Sequence, residues 1–197
     1  MRLALFLCIV PVALVVGCTV DEEDAPPPPC ASDTSEPNDS VAEATSLGAL
    51  QDDGELDAPG QVPNKLTKTF STHTANDVDW YTVDVRDTGA FGNPKVQVIV
   101  AQGHEATAFW SCTNGTTESV DCRPGTPVTD DPELPATRGC VTVEQAAAGA
   151  NAASLPLTLE MHVECSGTPT DSGKLQIRVR RTAPADTCER YTLTVIA

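Results

Sequence analysis

Apolar and polar residues alternate strictly through one stretch of this chain: Leu155, Leu157, Leu159, Met161 and Val163 are separated by Pro156, Thr158, Glu160 and His162, and Glu164 follows. A period of two is the signature of a strand with one buried face, because successive side chains point to opposite sides of a sheet. The same pattern recurs at Tyr81, Val83 and Val85, at Val96, Val98 and Val100, at Leu175, Ile177 and Val179, and at Tyr191, Leu193 and Val195. Weaker strands are expected near Leu66–Ser71, Thr107–Cys112 and Gly139–Glu144. Turn clusters punctuate them, at Ala58-Pro59-Gly60, Gly92-Asn93-Pro94, Arg123-Pro124-Gly125 and Thr168 to Gly173. About eight short strands with turns between them predict an all-β fold, an antiparallel sandwich or jelly roll. Helix is scarce: one or two turns over Val41–Leu47 after an Asp39 or Ser40 cap, and a brief helical propensity at Glu144–Ala148 that Gly149 and Asn151 cut short.

The N-terminus is a different kind of segment. Met1-Arg2 is followed by an apolar run from Leu3 to Val16, then Gly17-Cys18. A positive start, a short apolar core and small residues before a cut describe a secretory signal. The run is shorter than the roughly 20 apolar residues a membrane-spanning helix needs, and it contains Pro11. Val15-Val16-Gly17-Cys18 resembles a lipobox, which predicts cleavage after residue 17 and lipidation of Cys18. Thr19 stands where aspartate tends to retain such lipoproteins on the inner membrane, so the expected address is the outer membrane, on a face the sequence does not specify. Residues 18–35 are acidic and proline-rich, with little to bury, and read as an extended tether in which Pro26–Pro29 adopt polyproline II. The folded domain is expected over 36–197, long enough for its own core.

Of eight cysteines, Cys8 belongs to the signal and Cys18 to the lipid. Cys30, Cys112, Cys122, Cys140, Cys165 and Cys188 remain. An even number in an exported chain reads as three disulfides, and the absence of any Cys-x-x-Cys pair argues against a metal role. Sequence leaves every pairing open. Cys112 with Cys122 would close a short loop, Cys140 with Cys165 would staple a hairpin, and Cys30 would then reach Cys188.

Twelve Lys and Arg against 28 Asp and Glu give a formal charge of −16, one unit more negative once Arg2 leaves with the signal. Such a field repels nucleic acid and anionic headgroups and attracts cations. The lipid is therefore the expected membrane contact. Four of every hundred residues are aromatic, so Val, Leu and Ile must supply most of the core.

Three segments resemble the bacterial pre-peptidase C-terminal domain. They are Glu36-Pro37-Asn38-Asp39-Ser40 with Ala42, Ala44 and Leu47; Asp77-Val78-Asp79-Trp80-Tyr81-Thr82-Val83-Asp84-Val85; and the ending Cys188-Glu189-Arg190-Tyr191-Thr192-Leu193-Thr194-Val195. The resemblance implies a β-sandwich of jelly-roll type and an accessory role beside protein or polysaccharide ligands. By the same resemblance, calcium-binding members would take ligands from Glu36, Asn38, Asp39, Asp77 and Asp79. Ca²⁺ accepts six to eight oxygens from carboxylates, amides and carbonyls, which these two loops offer. Thr34 departs from the pattern, standing where those members carry a further acid. The other reading of the same residues is turn and cap chemistry opening a strand. A bound ion here would be structural, fixing the tether's exit against the sandwich.

No catalytic constellation stands out. His73, His104 and His162 are scattered, and no Gly-x-Ser-x-Gly, His-Glu-x-x-His or phosphate-cradling loop occurs. Alternation puts Trp80 on the outward face, where it either stacks on a ligand or lids the Asp77/Asp79 loop. Phe109-Trp110 is a second such surface or part of the core. Arg178, Arg180 and Arg181 form a basic stripe suited to internal ion pairs. The sequence thus predicts a non-enzymatic, envelope-anchored binding or accessory domain; the alternative is a structural envelope lipoprotein with no specific ligand.

Overall fold

The alternating segments form the strands they predict. The computed structural model describes residues 33–52, 62–88, 94–144, 155–167, 170–183 and 187–197. The signal, Cys18, Cys30, the turns at 58–60 and 92–93, and most of the short helical stretch after Glu144 lie outside the described residues. After a single 3-10 turn at Val41–Glu43 come β1 (Thr45–Gln51), β2 (Lys65–Thr72), β3 (Val78–Arg86), β4 (Lys95–Val100), β5 (His104–Cys112), β6 (Thr116–Cys122), β7 (Thr126–Asp130), β8 (Pro135–Val141), β9 (Val143–Glu144), β10 (Leu157–Ser166), β11 (Gly173–Arg181) and β12 (Glu189–Ile196). This exceeds the expected eight because β1, β6 and β7 carry few apolar residues. Among the described residues, no helix is long and apolar enough to cross a membrane.

The strands make two sheets. One runs β1-β3-β11-β5-β8-β7; the other runs β2-β12-β4-β10-β6, with β9 added beside β10. The pairs are antiparallel except β1 with β3, which is parallel, a departure from the all-antiparallel expectation. The expected helix over Val41–Leu47 is corrected too. Its second half is strand, and Ser40 spends its hydroxyl on Glu43 Oε2 at 2.9 Å and not on a backbone cap.

The core lies between the sheets. Tyr81, Val83 and Val85, Leu175, Ile177 and Val179, and Ala106, Ala108 and Trp110 meet Val96, Val98 and Val100, Leu159, Met161 and Val163, and Leu193 and Val195. At one end Phe70 stacks on Tyr81 with ring centroids 4.3 Å apart, and Tyr191 packs beside His104 at 4.6 Å. Two glycines admit aromatic rings: a Cβ at 139 would sit 2.7 Å from the Phe109 ring, and one at 173 would overlap Trp110.

The cysteine pairing differs from the expectation. Cys112 bonds Cys165 and Cys122 bonds Cys140; neither Cys112–Cys122 nor Cys140–Cys165 forms. The reason is topological. Cys112 and Cys140 lie in one sheet and Cys122 and Cys165 in the other, so each bridge crosses the core and joins the two sheets. Cys188 is also disulfide-bonded, while Cys30 lies outside the described residues.

Candidate cation centre

Two short pieces of chain meet at the end of the sandwich where β3 starts. Residues 36–39 lead into the 3-10 turn, and Asp77 closes a turn by donating its N–H to the Thr74 carbonyl at 3.3 Å. The Trp80 N–H donates to the Asn38 carbonyl at 2.8 Å, which lays the opening segment alongside the first residues of β3. Asp79 shares the parity of Tyr81, Val83 and Val85, so its carboxylate points inward and is 1% exposed.

The sequence-predicted acids come together here. Ligand oxygens of Glu36, Asp77 and Asp79 all lie within 4.8 Å of one another. Asn38 sits among them, fully buried. Its side-chain amide donates to Asp79 Oδ1 at 3.3 Å and to Glu36 Oε2 at 3.0 Å. Asp39 lies at the margin beside Asp77. Asp33 anchors the incoming chain, accepting from the Ser71 N–H at 2.8 Å.

Electrostatics set the chemistry. Burial pushes the Asp79 carboxyl up to about 8; the Tyr191 hydroxyl bound to it pulls down, and Asp77, Glu36 and Asp33 push up further. Glu36 is raised by burial and then by Asp77, and Asp39 by burial and then by Asp77. Among the described residues, no Lys or Arg pairs with these four acids. His73 lies beside them, its Nε2 3.9 Å from Glu36 Oε1 and its backbone N–H donating to Asp77. Clustered carboxylates without a counter-charge hold protons or gather a cation. An all-carboxylate set suits a hard cation, Ca²⁺ before a softer metal.

Sequence reasoning missed Tyr191. Its hydroxyl donates to Asp79 Oδ2 at 2.5 Å and contacts the Tyr81 hydroxyl at 2.7 Å. The signal was present: Asp79, Tyr81 and Tyr191 all have inward parity on strands at the same end.

The aromatic surface is corrected. Trp80 and Trp110 are both fully buried, so neither offers a face to a ligand. Trp110 is in the core. Trp80 does lie on the face of its sheet away from the core, yet it is fully buried. There it stacks near Phe109, centroids 6.1 Å apart, under Arg178 at 5.7 Å. The basic stripe is internally paired: Arg178 with Asp131, Arg180 with Glu105 at 2.8 Å, and Arg181 with Thr72 Oγ1 at 2.7 Å. His104 is buried against Thr72 Oγ1 at 3.1 Å, and His162 meets Glu160 at 2.8 Å.

No protein family and no curated protein matches the chain. Among solved structures, it is similar to PliG of Salmonella Typhimurium, a periplasmic inhibitor of g-type lysozyme. That match has 13% identity and a TM-score of 0.32, covering 78% of this chain and 97% of PliG. It is also similar to CorA, a surface-associated copper-binding protein of Methylomicrobium album BG8, at 10% identity and a TM-score of 0.34, covering 77% and 98%. At these scores the likeness carries nothing about function.

Proposed function

We propose that this chain is an exported lipoprotein, held on the outer membrane through Cys18, whose disulfide-bonded sandwich is a non-enzymatic binding or accessory domain with a structural Ca²⁺ where the tether enters. The observation that supports the cation is the convergence of Glu36, Asp77 and Asp79 oxygens, all within 4.8 Å of one another. Without a positive charge these carboxylates repel one another when ionised; with one they are a ligand set. The resemblance to pre-peptidase C-terminal domains supports the same residues, and protein or polysaccharide as the ligand class. A melting curve decides the cation. An ion held only by the folded state raises Tm by mass action, and an unchanged Tm at millimolar Ca²⁺ rejects the ligand set.

The burial of both tryptophans favours a second reading, a structural envelope lipoprotein that binds no macromolecule specifically. Pull-downs from envelope extracts with the soluble domain, with and without EDTA, separate the two. Reproducible EDTA-sensitive capture supports an accessory domain; no capture in either condition supports the structural role.

A further inference from the structure

The asparagines among the described residues, Asn38, Asn64, Asn76 and Asn114, stand in different surroundings. Asn38 is fully buried and spends its amide on Asp79 and Glu36. Asn64 is half-buried and precedes Lys65, which opens β2 opposite Ile196. Asn76 is exposed, but the N–H that follows it, that of Asp77, is tied to the Thr74 carbonyl at 3.3 Å. Asn114 is exposed in the turn between β5 and β6, and the residue after it is an exposed glycine, Gly115. Among the described residues, neither the Asn114 side chain nor the Gly115 N–H makes a hydrogen bond.

That combination is chemically reactive. The backbone nitrogen after an asparagine attacks the side-chain amide when it can swing against Cγ. A side chain on the following residue crowds this approach, and glycine has no Cβ to do so. Gly115 also takes a φ of 79°, which a residue with a side chain adopts only under strain. With neither partner hydrogen-bonded, both can rotate, and water reaches an exposed turn freely. The freedom is confined to the tip. Cys112 is bonded to Cys165, the Thr113 N–H donates to the Ser172 carbonyl at 2.9 Å, and Thr116 Oγ1 lies 2.6 Å from Ser166 Oγ.

We propose that Asn114 is a site of spontaneous covalent modification, converting to aspartate and isoaspartate through a cyclic imide formed with Gly115. The Gly115 nitrogen bonds to Asn114 Cγ, the Cγ–Nδ2 bond breaks, and the amide nitrogen leaves as ammonia with the proton of the Gly115 N–H. Water then opens the five-membered ring. Attack at Cγ restores the ordinary backbone and leaves an aspartate side chain. Attack at the main-chain carbonyl carbon of residue 114 leaves the backbone running through Cγ, an isoaspartate. Water is the sole co-reactant, and nothing is oxidised or reduced. Either product adds a carboxylate to an already acidic chain, and the isoaspartate lengthens the turn by a backbone atom.

The test holds the full-length protein in warm, mildly alkaline buffer and follows each asparagine by peptide mapping, with electron-transfer mass spectrometry to separate aspartate from isoaspartate. Conversion at Asn114 is expected to outpace that at Asn38, Asn64 and Asn76 manyfold and to give both products. Gly115→Ala should slow it manyfold. Because that variant is strained and can fail to fold, a second measurement repeats the time course on the unaltered chain in guanidinium. There the rate at Asn114 should change little, since the fold does not restrain it, while Asn38 and Asn76 should speed up. No conversion at Asn114, a rate equal to that of Asn76 in the folded chain, aspartate without isoaspartate, or a manyfold acceleration at Asn114 on unfolding each overturns the proposal.

Discussion

The two inter-sheet bridges and the acidic end hold the same sandwich together by opposite means. Where Cys112–Cys165 and Cys122–Cys140 cross the core, the sheets are joined covalently and almost without charge. Where Glu36, Asp77 and Asp79 converge, the sheets meet through carboxylates that repel one another and through a buried Asp79–Tyr191–Tyr81 chain. The first arrangement stabilises at any pH and in any salt. The second depends on what neutralises it, so this end of the fold responds to its surroundings.

The sharpest way to separate the two is to remove each in turn. Replacing Cys112 and Cys165 by Ser opens a crosslink with a sequence separation of 53, and chain entropy predicts a loss of about 4 kcal/mol. The Cys122–Cys140 pair, with a separation of 18, should cost about 3 kcal/mol. Denaturant unfolding measures both, and neither loss should change with Ca²⁺. A Ca²⁺-dependent loss would break the contrast.

At the acidic end the next effect is on pH dependence. Asp79 has an ordinary carboxyl value of 3.8 when unfolded and about 8 when folded. Its raised folded value means that its contribution is fully present below pH about 4 and is lost as pH rises toward 8. In EDTA, thermal stability should therefore fall across that window, and Asp79→Asn should flatten the fall and abolish any Ca²⁺-induced rise. A flat wild-type profile in EDTA would show that Asp79 is neutralised by something else.

A smaller effect is expected of Tyr191→Phe, which strips Asp79 of its buried donor and should cost about 1–3 kcal/mol, read by denaturant unfolding. The smallest is on the bridged side. Ala136 has a φ of 63°, in the left-handed region, and Ala136→Gly should stabilise by less than about 1 kcal/mol.

The sequence made much of this legible, and the gaps have physical causes. Strands β3, β4, β10, β11 and β12 declared themselves because each buries one face against a core, which imposes period two. β6, reading Thr-Thr-Glu-Ser-Val-Asp-Cys, has no fully buried residue, and β7, reading Thr-Pro-Val-Thr-Asp, is largely exposed, so neither carries such an imprint. β1 is interrupted by a register shift between Ser46 and Ala49, where Gly48 takes a φ of 104°, which breaks its alternation. That Cys112, Cys122, Cys140, Cys165 and Cys188 are disulfide-bonded was legible, but the pairs were not, because pairing depends on which strands face each other across the core. The acidic residues were found by motif. What the motif could not supply was the donor opposite Asp79, since Tyr191 lies 112 residues away. Trp80 shows the limit of parity arguments: alternation put it on the correct face, and only tertiary structure shows it to be buried there.

The parallel pairing of β1 with β3 bears on how the domain would carry load. β1 follows directly on the opening segment, and its Thr45 end lies beside Tyr81, at the acidic end of the sheet. A pull applied to β1 along its own axis stresses the β1–β3 hydrogen bonds lengthwise, so they must yield together. A hairpin strand peeled from its turn would instead yield one bond at a time. β1 drawn along its axis is thus loaded in its mechanically stronger direction.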